Sequence, residues 1–421
     1  MKRGYAYWGI GAGVLFVGLF STFYFFAPAF SSVGYGTDQA RIKGDATVAI
    51  TSEKIATSTE ERFVATHVKT PEAVKAIYMT ACVATMPSFR EKLVKIADTT
   101  EVNSIIIDVK DFSGTIAFKP EDPLLKDNTG TGCRTKDLRE FIAELHQKGI
   151  YTIARITVFQ DPYYTKAHPD LAVHKKSDGS TWKDRKGLSF VDVSAKPYWD
   201  YVVALGKESY ALGFDELNFD YIRFPSDGDM KDIEFTWSKG MGKAEALEHF
   251  FAYLHDALKD TGVKTSADLF GMTATNTDDL NIGQVLERVM PYFDYVSPMV
   301  YPSHYPSHFN GWANLNDHVY DVVHYSMSRA ALRAVATTTP VEHLGGMRIG
   351  TSTPATYTKE SYDKNKLRPW LQDFNYGGTY GPTEVRAQIQ ATYDSGLNSW
   401  LLWDPKNVYT AAALKGEGGG Q

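Results

Sequence analysis

The chain has 421 residues, 43% hydrophobic and 13% aromatic, which suits one large α/β barrel with extra segments or two to three average domains. Its 44 basic and 50 acidic side chains leave a net charge of −6, and no long basic run occurs, so nucleic acid is set aside as a partner. The two cysteines, Cys82 and Cys133, have no metal-ligand spacing and no His-Glu-x-x-His run is present, so neither a metal nor another cofactor is expected.

Met1-Lys2-Arg3 is followed by a stretch without charge, Tyr5 to Phe30. Its length fits a membrane span, and the basic start puts the N-terminus inside, so residues 1–30 read as a single-pass anchor with the rest outside the cytoplasm. Cleavage near Ala27-Pro28-Ala29, giving a secreted form, is the other reading. Residues 31–70 read as a linker, with a short strand over 46–50.

From about Pro71 the pattern alternates. Strands are predicted over 76–80, 103–111, 150–159, 216–221, 264–271, 293–301, 367–374 and 398–404. Helices are predicted from a Ser88–Glu91 capping box, and over 135–148 (stopped by Gly149), 197–212, 243–260, 284–289, 318–336 and 382–395. The polar connection 160–193 is long enough to read as a lid or as disorder, and 337–366 reads as an insertion. Eight strands with helices between them predict a single (β/α)8 TIM barrel over 71–410, followed by a flexible tail over 411–421. An open doubly wound sheet is the alternative, but no Gly-x-Gly-x-x-Gly follows a strand. Cys82 and Cys133 follow the first two strands. In an exported chain they could pair, and two free buried thiols are the other reading.

In a barrel, alternate side chains point inward, and chemistry gathers at the C-terminal mouth. Parity turns Asp108 and Lys110 inward from strand two, Arg155 and Thr157 from strand three, and Glu216, Asn218 and Asp220 from strand four. It does the same for Ser266 and Asp268, for Ser297, Met299 and Tyr301, and for Arg368, Trp370 and Gln372. In strand eight Trp400, Trp403 and Asp404 compete.

Asp220 and Asp268 end neighbouring strands, and two carboxyls in different environments are what glycoside hydrolysis needs. Asp220 is expected to be the nucleophile or base and Asp268 the acid, with Asp373 as a reserve partner whose parity points outward. Arg223, folded back over the mouth, would favour ionised Asp220; a rim salt bridge to Asp215 or Asp227 is its ordinary alternative. Asp108, Lys110, Arg155, Asn218, Arg223, Met299, Tyr301, Trp370, Gln372 and Trp403 are the expected substrate contacts, the aromatic ones by stacking on sugar faces. The competing readings are an internal salt-bridge network and a metal site from Asp108, Asp111 and Asp220. His304 and the other histidines read as ordinary surface or core residues.

Phe214-Asp-Glu-Leu-Asn-Phe-Asp-Tyr-Ile-Arg-Phe-Pro225 resembles the signature of a bacterial family of glycoside hydrolase domains, often anchored by an N-terminal hydrophobic segment. Ile107–Asp111, Ala154–Phe159, Val296–Tyr301 and Arg368–Phe374 match it in order. The resemblance implies a (β/α)8 glycosidase acting on a poly- or oligosaccharide of the cell envelope or its surroundings. Met299-Val300-Tyr301 is also similar to chitinase-type barrels, but Ile222-Arg223 stands where those carry their acid. An α-amylase-like arrangement, nucleophile on strand four and acid on strand five, would use Asp268 where Glu is usual. A tethered barrel that binds glycan without cleaving it is the second reading.

Overall fold

The computed structural model describes residues 64–128, 130, 132–342 and 354–416. Among the described residues ten strands form: β1 Lys75–Met79, β2 Ser104–Lys110, β3 Tyr151–Thr157, β4 Glu216–Asp220, β5 Lys264–Phe270, β6 Tyr295–Met299, β7 Thr338–Pro340, β8 Thr356–Thr358, β9 Trp370–Gln372 and β10 Trp400–Trp403. Eight of them close a barrel in the order β1-β2-β3-β4-β5-β6-β9-β10, and every pairing is parallel. The α-helices are α1 Ala81–Ala84, α2 Pro87–Thr99, α3 Leu138–Gln147, α4 Pro162–Ala167, α5 Lys196–Leu212, α6 Lys243–Leu258, α7 Leu286–Val289, α8 Val319–Val335 and α9 Pro382–Asp394.

The expected alternation holds along most strands. Ile105, Ile107 and Val109 join the large core between strands and helices. A separate inner core holds Tyr78, Ile106, Ile153, Trp370 and Leu401. Strand β10 is thereby resolved: Trp400 packs outward and donates to the Tyr393 hydroxyl of α9, while Leu401 and Trp403 face in. At the barrel's lower end Arg368 pairs with Glu216 at 2.8 Å, and Tyr151 donates to the same carboxylate. Asp215 there accepts from the backbone of Val68 and Thr152, which ties residues before 71 to the barrel.

Several expectations are corrected. Helix α2 begins at Pro87 with no side-chain cap, because proline's fixed φ starts a helix one residue before Ser88, so Ser88–Glu91 is no capping box. Helix α3 begins at Leu138, not at residue 135. Strand β9 shrinks to three residues, and its register with β6 is the single pair Met299–Trp370. The 337–366 segment contributes the antiparallel pair β7 and β8. The long 160–193 connection is structured, and none of its residues lines the cavity at the barrel mouth. It holds α4, and Val173, Trp182 and Phe190 share a small core with Ile233 of the next loop.

Cys82 and Cys133 are bonded, with Cα atoms 4.8 Å apart. Among the described residues no helix is long and apolar enough to cross a membrane. The expected anchor over 1–30 and most of the expected linker lie outside those residues.

Candidate active site

Asp220 ends β4 and Asp268 lies near the end of β5, so both carboxyls emerge at the same end of the barrel. What brings them together is the β3 register: Arg155 sits opposite Asp108 on one side and Asn218 on the other. Its guanidinium donates to Asp108 at 2.7 Å and to Asp220, and its Nε lies 3.9 Å from Asp268 Oδ2. One fixed charge therefore sits among three carboxyls.

Asp268 is 1% exposed. Its Oδ1 accepts from Asn218 Nδ2 and from Trp370 Nε1, each at 2.8 Å, while Oδ2 has no hydrogen-bond partner. Burial, and then the Asp220 charge beside it, push its pKa well above the usual carboxylate range, against the pull of Arg155. Asp220 Oδ1 accepts from the Tyr221 backbone, and Oδ2 from Arg155. Asp108, further in, accepts from Tyr78 and Arg155, and burial pushes it up to about 6.

A cavity of about 240 Å³ opens above these groups. Arg155, Asp220, Asp268, Met299, Tyr301 and Trp370 line it, as the strand parity predicts, as do the expected contacts Arg223 and Trp403, together with Tyr221, Phe270, Gln284 and His304. Tyr301 and Trp403 stack with ring centroids 5.4 Å apart, and Phe374 meets Trp403 edge-on. That aromatic wall is suited to the apolar face of a sugar ring.

Four expected contacts do not line the cavity. Asp108 lies behind Arg155, and Asn218 acts by orienting Asp268. Gln372 turns aside to accept from Ser303 Oγ at 2.8 Å. Lys110 departs most: the β2–β3 register shifts between Asp108 and Lys110, and the ammonium is buried 2.9 Å from Asp161 beside the Tyr198 hydroxyl. Asp373 is no partner for Asp220, because its carboxylate holds the backbone and hydroxyl of Thr410, at 2.9 and 2.6 Å. Burial pushes Asp373 up to about 6. Asp111 turns to Ser113, and a guanidinium stands between Asp108 and Asp220, so these three acids do not converge on a cation. Arg223 reaches the mouth, as expected, but forms neither expected pairing: it donates to Phe224 O and Ser226 Oγ, and the cation on Asp220 is Arg155.

Sequence reasoning missed four lining residues, Tyr221, Phe270, Gln284 and His304. Tyr221 has φ +52°, a region that bulky side chains rarely adopt, and nothing in its alternating strand signals that turn. Gln284 lies 14 residues beyond β5, yet its Oε1 accepts from Phe270 N and its Nε2 donates to Ile222 O, clamping the ends of β4 and β5. Gly271 lets β5 and β6 close up, since a Cβ there would meet Met299 O at 2.2 Å. His304 is drawn into the rim by Tyr301 and Phe374, and burial lowers its pKa. Its neighbour Pro302 in a tight turn was the one available signal.

A closed parallel barrel that gathers paired carboxyls and aromatic rings at its C-terminal mouth defines a barrel of the hydrolase kind. The chain belongs to the family described as "Putative glycosyl hydrolase domain", which matches residues 76–409. It is similar to a hypothetical protein of solved structure from Ruminiclostridium thermocellum, at 30% identity over 46% of this chain and 96% of that one, with a TM-score of 0.42. The PgaB (BpsB) glycoside hydrolase domain from Bordetella bronchiseptica shares the fold at 12% identity, over 82% of this chain and 99% of that one, with a TM-score of 0.53. A search of curated proteins finds no match to the sequence.

Proposed function

We propose that the barrel is a glycosidase that hydrolyses a polysaccharide, with Asp268 as the general acid and Asp220 as the second carboxylate. The observation that carries this is the contrast between the two carboxyls on one cavity. Asp268 is buried, raised in pKa and without a hydrogen-bond partner at Oδ2, which suits a group that must arrive protonated. Asp220 faces the same cavity against Arg155. Asp268 gives its proton to the bridging oxygen as the anomeric C–O bond breaks. Asp220 attacks the anomeric carbon or takes a proton from the attacking water, and water supplies the hydroxyl that ends on the sugar. Tyr301 and Trp403 hold the ring.

One observation favours a glycan-binding barrel without cleavage: both oxygens of Asp220 are already engaged, by Tyr221 N and Arg155. The test separates the two readings. On the glycosidase reading, Asp220→Asn and Asp268→Asn each lower kcat on a glycan panel by roughly 10²–10⁴-fold. An aryl glycoside with a good leaving group partly restores Asp268→Asn, because that group leaves without a proton. Hydrolysis at the wild-type rate by both variants would sink the assignment, and glycan binding without turnover by the wild type would favour the second reading.

The proposal includes export, with residues 1–30 as an uncleaved anchor. The charge-free run behind Lys2 and Arg3 supports it, as does the Cys82–Cys133 bond, since cytosolic thiols are kept reduced. Full-length protein should fractionate with membranes. A soluble form starting near Phe30 would replace the anchor with secretion.

A further inference from the structure

One cation at the mouth has no ion-pair partner among the described residues. Arg155 is taken up by Asp108 and Asp220. Asp268, pushed toward its protonated form by burial, brings no settled negative charge, and His304, lowered in pKa by burial, brings no positive one. Arg223 is different. It lines the same cavity, yet among the described residues no carboxylate lies within ion-pair distance of it. The two acids expected as its rim partners are engaged elsewhere: Asp227 pairs with Arg185 at 3.3 Å, and Asp215 binds His146 and the Thr152 backbone at the other end of β4. Only Nη1 of Arg223 is used, on Phe224 O at 3.1 Å and Ser226 Oγ at 3.3 Å. Its guanidinium lies 5.3 Å from the Tyr221 ring centroid. That ring is carried by the residue held at φ +52°, so a strained turn backs the cation at the cavity rim.

We infer that Arg223 receives the carboxylate of an acidic sugar, so that the substrate is a glycan containing carboxylated residues such as hexuronates; this rests on the glycosidase reading above. A guanidinium presents planar paired donors that match a carboxylate's two oxygens, and Arg223 has donors to spare. Its charge also works against the competitors. An amino sugar brings a second cation to the rim, and a neutral sugar leaves Arg223 without its partner.

The experiment uses the full chain carrying Asp268→Asn, so that binding is read without turnover. Calorimetry compares oligogalacturonate and hyaluronan oligosaccharides, each with its carboxyl-reduced neutral derivative, and glucosamine oligomers as the cationic arm. At least one acidic oligomer should bind about 10-fold or more tightly than its reduced partner, with the ratio shrinking as salt rises. Adding Arg223→Gln should bring that ratio to within about threefold, and Arg223→Lys should keep part of it. A ratio near one for both pairs, a ratio that survives Arg223→Gln, tighter binding of glucosamine oligomers, or no binding of any acidic oligomer would each overturn the inference. Wild-type hydrolysis is scored separately. An acidic preference without turnover sinks the glycosidase reading alone, and turnover of neutral glycans with no acidic preference sinks the inference alone.

Discussion

Two donors grip one oxygen of Asp268 and leave the other buried without a hydrogen-bond partner, and that arrangement has a thermodynamic signature. Burial raises its pKa in the folded protein, so the folded state holds this proton more tightly than the unfolded chain does. Below the unfolded value, about 3.9, both states are protonated and the group costs nothing. As pH rises above that value, only the unfolded chain releases the proton, and folding loses about 1.4 kcal/mol per pH unit until the folded pKa is reached. Asn at 268 keeps an oxygen for Asn218 and Trp370 but has no proton to lose. Asp268→Asn should therefore melt higher than wild type at pH 7 and equally near pH 3. Thermal melts at the two pH values check this, and a variant no more stable at pH 7 would contradict the raised pKa. Activity should run the same way, falling as pH rises through the Asp268 pKa.

Strand β2 shows how one irregular residue redirects a side chain. Asp108 follows the alternation and points inward, but the register shift before Lys110 sends that ammonium to Asp161, both side chains being 0–1% exposed. Breaking a buried pair leaves the surviving charge unpaired, which is far worse than losing the pair's attraction. Lys110→Met should cost about 3–5 kcal/mol in denaturant melts, whereas a rim lysine would cost within about 0.5 kcal/mol. The other elements were legible to different degrees. The Ile-rich run of β2 and the glycine stop after α3, Gly149 at φ +71°, could be read directly, because apolar periodicity and a left-handed stop are local properties. The start of α2 at Pro87 could be misread, since two local start signals stood side by side.

At the scale of the whole molecule, the Cys82–Cys133 bond spans a sequence separation of 51 that includes all of β2, the strand carrying Asp108. Closing a loop of that length restricts the unfolded chain by about 4 kcal/mol on the chain-entropy account. The double variant Cys82→Ser, Cys133→Ser should lose roughly 2–4 kcal/mol in urea melts, and dithiothreitol should destabilise wild type but not the variant. A reductant effect of equal size on both would show that the bond does not carry the stability. The barrel is also fastened where β10 meets β1: Asn407 takes the Thr80 amide, and the Tyr409 hydroxyl takes that of Tyr78.

The sequence by itself determined the eight-strand alternation and the inward parity of Asp108, Arg155, Asn218, Asp220, Asp268, Tyr301 and Trp370. These follow from side-chain period and from the rule that apolar faces of barrel strands meet helices, both of which operate within a few residues. Tertiary structure decided what each inward residue does. Arg155 rather than Arg223 answers Asp220, Trp370 donates to Asp268 across 102 residues of chain, and Gln284 clamps two strand ends. It also bonded the cysteines, hid Lys110 and drew His304 to the rim. Those outcomes depend on barrel closure and on register between strands distant in sequence, and no local pattern encodes them.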